Sequence, residues 1–377
     1  MPNLRQAMMG AAGAGGADAD QIYSWGGNWA GMVGDGTVVN PVTSPVQVGS
    51  GSESWVGVSG GNIYTSAIRD DGTLWMWGGN SAGVLGQGDV ISRSSPVQVG
   101  SLTDWSKLCA GGDENMVAIK TDGTLWLWGA NSAGQLGTGD EDKRSSPIQL
   151  GSLTNWKQAS FGLRSMGFVK TDGTLWTIGN GGAGQNGDSR SSSDIDSPVQ
   201  VGTSTNWAYI SCPREGRTGV RTDGTLWAWG SGEYGITGLD TALSISSQTQ
   251  VGSLTDWAQV GEPAFNGNIH IKIDGTLWAW GQQNAGLGNG DGTAINRSSP
   301  VQIGTDTDWF AAGYGNRTGT ALRTDGTLWA WGAAGYVGDS TAIGRSSPVQ
   351  IGTDTDWRVE DGTTARPALS VTRWVPR

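Results

Sequence analysis

The stretch Asp122-Gly-Thr-Leu-Trp126 returns along the chain. Copies begin at Asp71, Asp122, Asp172, Asp223, Asp274 and Asp325, in steps of 51, 50, 51, 51 and 51 residues. A repeat of that size restricts the chain to a solenoid, a propeller or an array, built by stacking one supersecondary unit. The motif also shows what the unit is. Asp-Gly between two apolar-alternating runs predicts a tight hairpin, and the type I′ turn it suits needs φ > 0 at both central residues. After the turn, Trp75 and Trp77 are two apart and share one face of a strand, while Leu74 and Met76 share the other. Each hairpin therefore carries one very bulky face and one smaller apolar face, and stacked units fit large against small.

The rest of the unit follows in order. A long Gly-rich loop, such as 129–140, leaves the hairpin. Next comes a short strand led by Ser-Pro at Pro45, Pro96, Pro147, Pro198, Pro300 and Pro348, with Gln248 in place of proline once. Proline is confined to edges or first positions of sheets, so this is the outer strand. A short link then brings Trp55, Trp105, Trp156, Trp207, Trp257, Trp309 and Trp357, each ahead of a small-residue strand suited to the crowded centre. A loop of changing sequence leads to the second strand and back to the Asp-Gly turn. We expect an all-β fold, a seven-bladed β-propeller of four-stranded blades. The chain enters on a third strand, at Ile22, and leaves on a second, at Pro367 to Val371, so pairing Ile22 to Trp25 with Pro367 to Val371 closes the ring and removes its open edge.

Composition agrees with this fold and narrows the function. Gly 65 and Trp 21 are high for 377 residues, and Lys+Arg 23 is low. A net charge of −11 counts against nucleic acid, whose binding wants a basic patch. No apolar run is long enough to cross a membrane as a helix, so no membrane insertion is expected. Cys109 and Cys212 sit at matching points two repeats apart and read as small buried residues rather than a disulfide. The single histidine, His270, falls in a second strand, which rules out a histidine-based triad or zinc site. Asn289-Gly-Asp-Gly-Thr293 and Thr138-Gly-Asp140 lack the alternating carboxylates of a calcium loop and read as turns. We expect no cofactor, no metal and no enzymatic activity.

The run Trp-Gly-x-Asn-x-x-Gly-x-Leu-Gly, at Trp77 to Gly86 and Trp128 to Gly137, resembles the repeat of the regulator of chromosome condensation family. The resemblance extends over roughly Ile22 to Val371 and implies that family's seven-bladed propeller. The founding member's exchange activity on the Ran GTPase and its chromatin binding are not carried over. The repeat steps leave no room for a large inserted contact element, and the chain is acidic. The same fold also serves as a secreted β-lactamase inhibitor that binds through loops at one end, and fold alone does not give function.

Contrast between repeats carries the remaining signal. Asp-Gly turns and Ser-Pro strands barely change, whereas the loops between first and second strands change a great deal. They carry Tyr64, Glu114, Phe161 and Arg164, then Arg214 and Arg217, then Phe265, Tyr314 and Arg317. Tracing strand directions places them at one end, around the channel mouth, as a candidate partner-binding face, since Tyr and Arg are favoured at binding hot spots. Residues 1–20 form a separate Gly/Ala-rich arm, with the propeller from 21 to 377; Leu4, Met8 and Met9 are the arm's candidate anchors. A secretory signal cleaved near Ala17-Asp-Ala19 is the competing reading of the arm. The opening Met-Pro-Asn-Leu-Arg-Gln-Ala-Met-Met-Gly-Ala-Ala-Gly-Ala-Gly-Gly, leading into these repeats, resembles virion structural proteins of marine tailed bacteriophages, cyanophages above all. That resemblance implies a virion-surface display protein. Its arm would attach to other virion proteins, and its loops would face a host protein or glycan. The alternative is a secreted protein- or glycan-binding propeller. The oligomeric state is not legible.

Overall fold

The computed structural model describes residues 20–109, 112, 114–189, 194–261, 267–282, 289–314, 318–358 and 370–374. Their strands form seven antiparallel sheets of four strands each, an all-β propeller architecture. In the first sheet, the inner strand Trp55–Gly60 pairs with Tyr64–Arg69. That strand pairs with Leu74–Gly78, which pairs with the outer strand Arg93–Gln98. The same order recurs at residues 105–149, 156–200, 207–250, 257–302 and 309–350. The Ser-Pro strands are the outer edges, where a missing N–H costs no ladder bond.

The remaining sheet draws on both ends of the sequence, in the order Val42–Gln47, Asp20–Gly26, Ser370–Trp374, Trp357–Arg358. Asp20 lies opposite Trp374 and Tyr23 opposite Val371. The second strand of this sheet is therefore displaced from the expected Pro367 to Val371, and residues 367–369 lie outside the described residues. The register explains the shift. Every complete second strand ends on a cation facing the link tryptophan, as Arg69 faces Trp55 and Lys120 faces Trp105. Arg373 holds that place opposite Trp357. Two further bonds join the last repeat to the first: Trp25 Nε1 donates to the Val337 carbonyl at 3.2 Å, and the Ser340 amide to the Thr43 carbonyl at 3.0 Å.

The Asp-Gly turn is not the type I′ turn expected. Gly72 has φ +76°, but neither Asp70 nor Asp71 is left-handed. The Gly72 amide bonds to the Arg69 carbonyl at 2.9 Å, and the Arg69 amide to the Thr73 carbonyl at 3.0 Å. This is a right-handed turn followed by a left-handed glycine that forms a bulge. The aspartate side chain holds it so. Asp71 Oδ1 accepts from the Thr73 amide at 2.9 Å and from Thr73 Oγ1 at 2.6 Å, and Thr73 Oγ1 accepts from Trp75 Nε1 at 2.8 Å. The same Asp–Thr–Trp chain recurs at Asp122, Asp172, Asp223, Asp274 and Asp325. In all six, hydrogen bonding from the threonine hydroxyl, the largest influence, holds the carboxyl below the usual carboxylate range.

The cation ending each second strand lies between this tryptophan and the link tryptophan. Lys170 Nζ is 3.6 Å from the Trp176 ring centroid and 4.7 Å from that of Trp156. Arg69, Lys120, Arg221, Lys272 and Arg323 repeat the arrangement, which the ring quadrupole favours. In most sheets a link carboxylate adds to it: Glu53 for Arg69, Asp104 for Lys120, Asp256 for Lys272, and Asp306 with Asp308 for Arg323. Asn155 and Asn206 stand at the matching link position of the third and fourth sheets.

The second tryptophan of each pair fastens one sheet to the next. Trp77, Trp128, Trp229 and Trp280 are buried and donate Nε1 to the carbonyls of Met32, Val84, Gln185 and Ile236, all in the Gly-rich loop of the preceding sheet. Ile178 takes this place in the third sheet. Each fully buried ring contributes roughly 1.5–3 kcal/mol by area. Cys109 and Cys212 are buried and unbridged. His270 is buried beside Trp257 and Trp280, its Nδ1 accepts from the Gly261 amide, and burial pushes its pKa down to about 3.

Candidate partner-binding face

Strand direction gives the propeller two ends. Inner strands begin and second strands finish at the Asp-Gly turns, together with the links. The loops between first and second strands, and the Gly-rich loops, share the opposite end. The sequence-predicted binding residues all belong to that loop end, but most do not face outward.

Tyr64, Phe161 and Tyr314 are buried. The Tyr64 hydroxyl donates to the Asn115 carbonyl of the next sheet, so its ring closes a seam between sheets. Phe161 belongs to the apolar core shared by the second and third sheets. The Tyr314 ring meets Trp331 edge-on at 6.0 Å, and burial pushes its hydroxyl pKa up. These three corrections have one physical cause. Each aromatic sits at the end of a strand beside the neighbouring sheet, where burying it gains more than exposing it. Glu114 is half-buried and accepts from the Ser81 hydroxyl. Phe265 and Arg317, like Leu4, Met8 and Met9 in the arm, lie outside the described residues.

The three arginines come together at the junction of the third and fourth sheets. Arg164 is exposed and Arg214 half-buried. The Leu163 amide bonds to the Arg214 carbonyl at 2.8 Å, which sets the two loops side by side. Arg217 lies beneath them and is only 1% exposed, so it is corrected from a surface contact to a buried cation. Its Nη1 donates to the Gly216 carbonyl at 2.6 Å and its Nη2 to Ser165 Oγ. Nε has no partner. Burial, the largest influence, lowers its pKa. A side chain at Gly162 would place its Cβ 3.0 Å from Arg217 Nη1, which explains the glycine there.

One contributor was missed by sequence reasoning. The loop at 231–236 packs against 213–216, with the Ser231 amide bonded to the Glu215 carbonyl at 2.9 Å. It presents Glu233 and Tyr234, both exposed. Tyr234 has φ +57° and Arg214 φ +24°, both in the left-handed region. Three other non-glycine residues share that region: Ser189, Asp240 and Ser340. These align with Gly88 and Gly139 of other repeats. Tyr234 instead aligns with Ala82 and Ala133, and that substitution was the available signal.

Among the described residues, no three His, Cys, Asp or Glu side chains gather as a metal site would need, and no helix is long and apolar enough to cross a membrane.

Comparison with known proteins agrees with this architecture. Residues 71–119 and 122–166 match the model of the regulator of chromosome condensation (RCC1) repeat. The E3 ubiquitin-protein ligase HERC2 of Homo sapiens is 30% identical over 145 residues, 36% of this chain but 3% of that protein. The probable E3 ubiquitin-protein ligase HERC3 of Homo sapiens is 40% identical over 103 residues, 26% of this chain and 10% of that protein. The chain thus spans a small part of these relatives. Among solved structures, human WBSCR16 superposes with TM-score 0.79 at 18% identity, covering 94% of this chain and 99% of that one. Prp20p of Saccharomyces cerevisiae, whose structure is described with its binding to Gsp1p and histones, superposes with TM-score 0.78 at 16% identity, covering 96% and 93%. At those identities the likeness establishes the fold alone. By repeat sequence and by fold, this chain is an RCC1-like β-propeller.

Proposed function

We propose that the protein is a non-enzymatic display propeller that binds a partner through its loop end, within a virion-surface assembly to which residues 1–20 attach it. The observation that carries this reading is the contrast between the two ends. The turn end repeats one self-satisfied unit six times. The loop end varies and leaves Arg164, Arg214 and Tyr234 open at one place. Protein binding by an RCC1-like propeller, described for Prp20p with Gsp1p and histones, supports a recognition role. The opening residues' likeness to virion proteins supports the location.

The reading includes a closed ring of seven blades. The pairing of Asp20–Gly26 with Ser370–Trp374 and the two bonds from the last repeat to the first support closure. Such a ring is a rigid platform, and its arm leaves from the turn end, away from the loops. Deleting residues 2–16 should leave the fold intact and abolish incorporation into particles, measured by particle composition. Changing Arg164 and Arg214 to alanine should spare incorporation and reduce partner or cell binding. Normal incorporation without the arm would overturn the attachment; unchanged binding by the arginine variant would overturn the display face.

A further inference from the structure

We propose that the Arg164–Arg214–Tyr234 corner is a binding site for an acidic sugar, a pyranose bearing a carboxylate. The proposal rests on the loop end being the display face and names the class of ligand it would take.

The corner joins three loops from two sheets, 161–165, 212–217 and 231–236, fastened by Leu163 N to Arg214 O and Ser231 N to Glu215 O. Each side chain supplies one element of acidic-sugar recognition. Arg164 and Arg214 present guanidinium groups, which match a carboxylate in geometry and hydration. Tyr234 is 37% exposed, and the negative face of an aromatic ring attracts the C–H edge of a sugar. Glu233, exposed beside it, can accept from sugar hydroxyls, which an acceptor-free arginine cannot do.

Two independent observations separate this corner from an accidental cluster. The first is Arg217. In the other complete sheets the residue opposite the second tryptophan position is Thr65, Met116, Met166, Asn268 or Gly319. Only the fourth sheet places a cation there. Its described hydrogen bonds go to the neutral acceptors Gly216 O and Ser165 Oγ, and Nε is unpartnered. A buried charge paired in this way costs stability, and its field is directed to the cavity mouth occupied by Arg164 and Arg214. The second is backbone strain. Arg214 and Tyr234 both adopt left-handed φ at positions that do not require it elsewhere in the repeat, and such strain concentrates at binding sites.

The chain's net charge of −11 would repel a densely charged polymer. It acts weakly beyond about 8–10 Å at physiological salt, so a single carboxylate at a local cation cluster is admitted. That selects a ligand with one acid among many hydroxyls over a polyacidic one.

Titration calorimetry on the full chain tests this with sialyllactose, a glucuronate disaccharide, lactose and oligoglutamate. One or both acidic sugars should bind and lactose should not. Arg214→Gln and Arg164→Gln, both at accessible positions, should each weaken binding by about tenfold or more, the loss expected for a charge-assisted pair. Tyr234→Ala should weaken binding of the whole sugar with unchanged thermal unfolding. Arg214→Lys should rescue only in part, since lysine cannot form the bidentate pair. Absence of acidic-sugar binding at millimolar concentration, binding unaffected by either arginine change, or binding of oligoglutamate alone would overturn the proposal. If particles still need the loop arginines for attachment while no sugar binds, the display reading stands and this inference falls. If sugar binds but the arginine variants attach normally, the reverse holds.

Discussion

The turn end and the loop end are built from the same repeats and obey different rules. At the turn end every polar group has a partner within its own unit. Aspartate holds threonine, threonine holds tryptophan, and a cation lies between two indoles. Nothing there depends on the sequence of the neighbouring blade, so the unit is copied unchanged. At the loop end the side chains are satisfied across seams, as Tyr64 reaches Asn115 and Arg217 reaches Ser165. Each seam has its own solution, and the loops diverge. The difference teaches that variability at the loop end is first a packing phenomenon. Only the residues left over after packing, at one corner, are free to recognise anything.

The sharpest way to break this comparison is to remove a seam tryptophan and compare it with an open arginine. Trp77→Ala should cost about 3–5 kcal/mol, as large aromatic deletions in cores do. Arg164→Ala should stay within about 0.5 kcal/mol. Urea unfolding of both variants measures the contrast, and equal costs would refute the division between frame and display.

Acid sharpens it further. The folded pKa of His270 is about 3, below the ordinary 6.5, so protons bind the unfolded chain first. Stability should therefore fall as pH drops below 6.5, by on the order of 1.4 kcal/mol per unit until the folded pKa is reached. The turn aspartates act later. Their pKa values are lowered by folding, so their contribution is present above the ordinary carboxylate range and is lost as pH falls through their folded values. His270→Gln should flatten the first loss and leave the second. Parallel stability curves between pH 4 and 7 would show that the imidazole is not buried neutral.

The smallest effects test the turn unit itself. Thr124→Val should cost about 1 kcal/mol, because Asp122 and the Trp126 indole both lose a partner. Asn155→Asp should do the opposite. It places beside Lys170 the carboxylate that Asp104 provides for Lys120, and should stabilise by about 0.5–1 kcal/mol at neutral pH. Thermal unfolding reads both, and a destabilising Asn155→Asp would mean that the third sheet positions its link differently.

Much of the frame was legible in the residues because its determinants are local. The 50–51-residue step, the prolines of the outer strands and the paired tryptophans each act within one unit, where period and turn chemistry apply directly. Even there, Asp-Gly suggested a type I′ turn. The aspartate's bonds to Thr73, not visible in a dipeptide, select a right-handed turn instead. The place of the seventh sheet's second strand was missed by three residues. Apolar pattern guided that reading, whereas the cation facing the link tryptophan sets the register.

The sequence by itself therefore determined the repeat, the sheet order and which tryptophans form the seams. Only the tertiary structure decided which loop residues remain outside. Strand residues alternate between faces with a period of two, so burial can be read along them. Loop residues have no such period. Whether Tyr64, Phe161 or Tyr314 turns in, and whether Arg164 and Tyr234 stay out, depends on what a neighbouring sheet roughly 50 residues away in sequence presents across the seam.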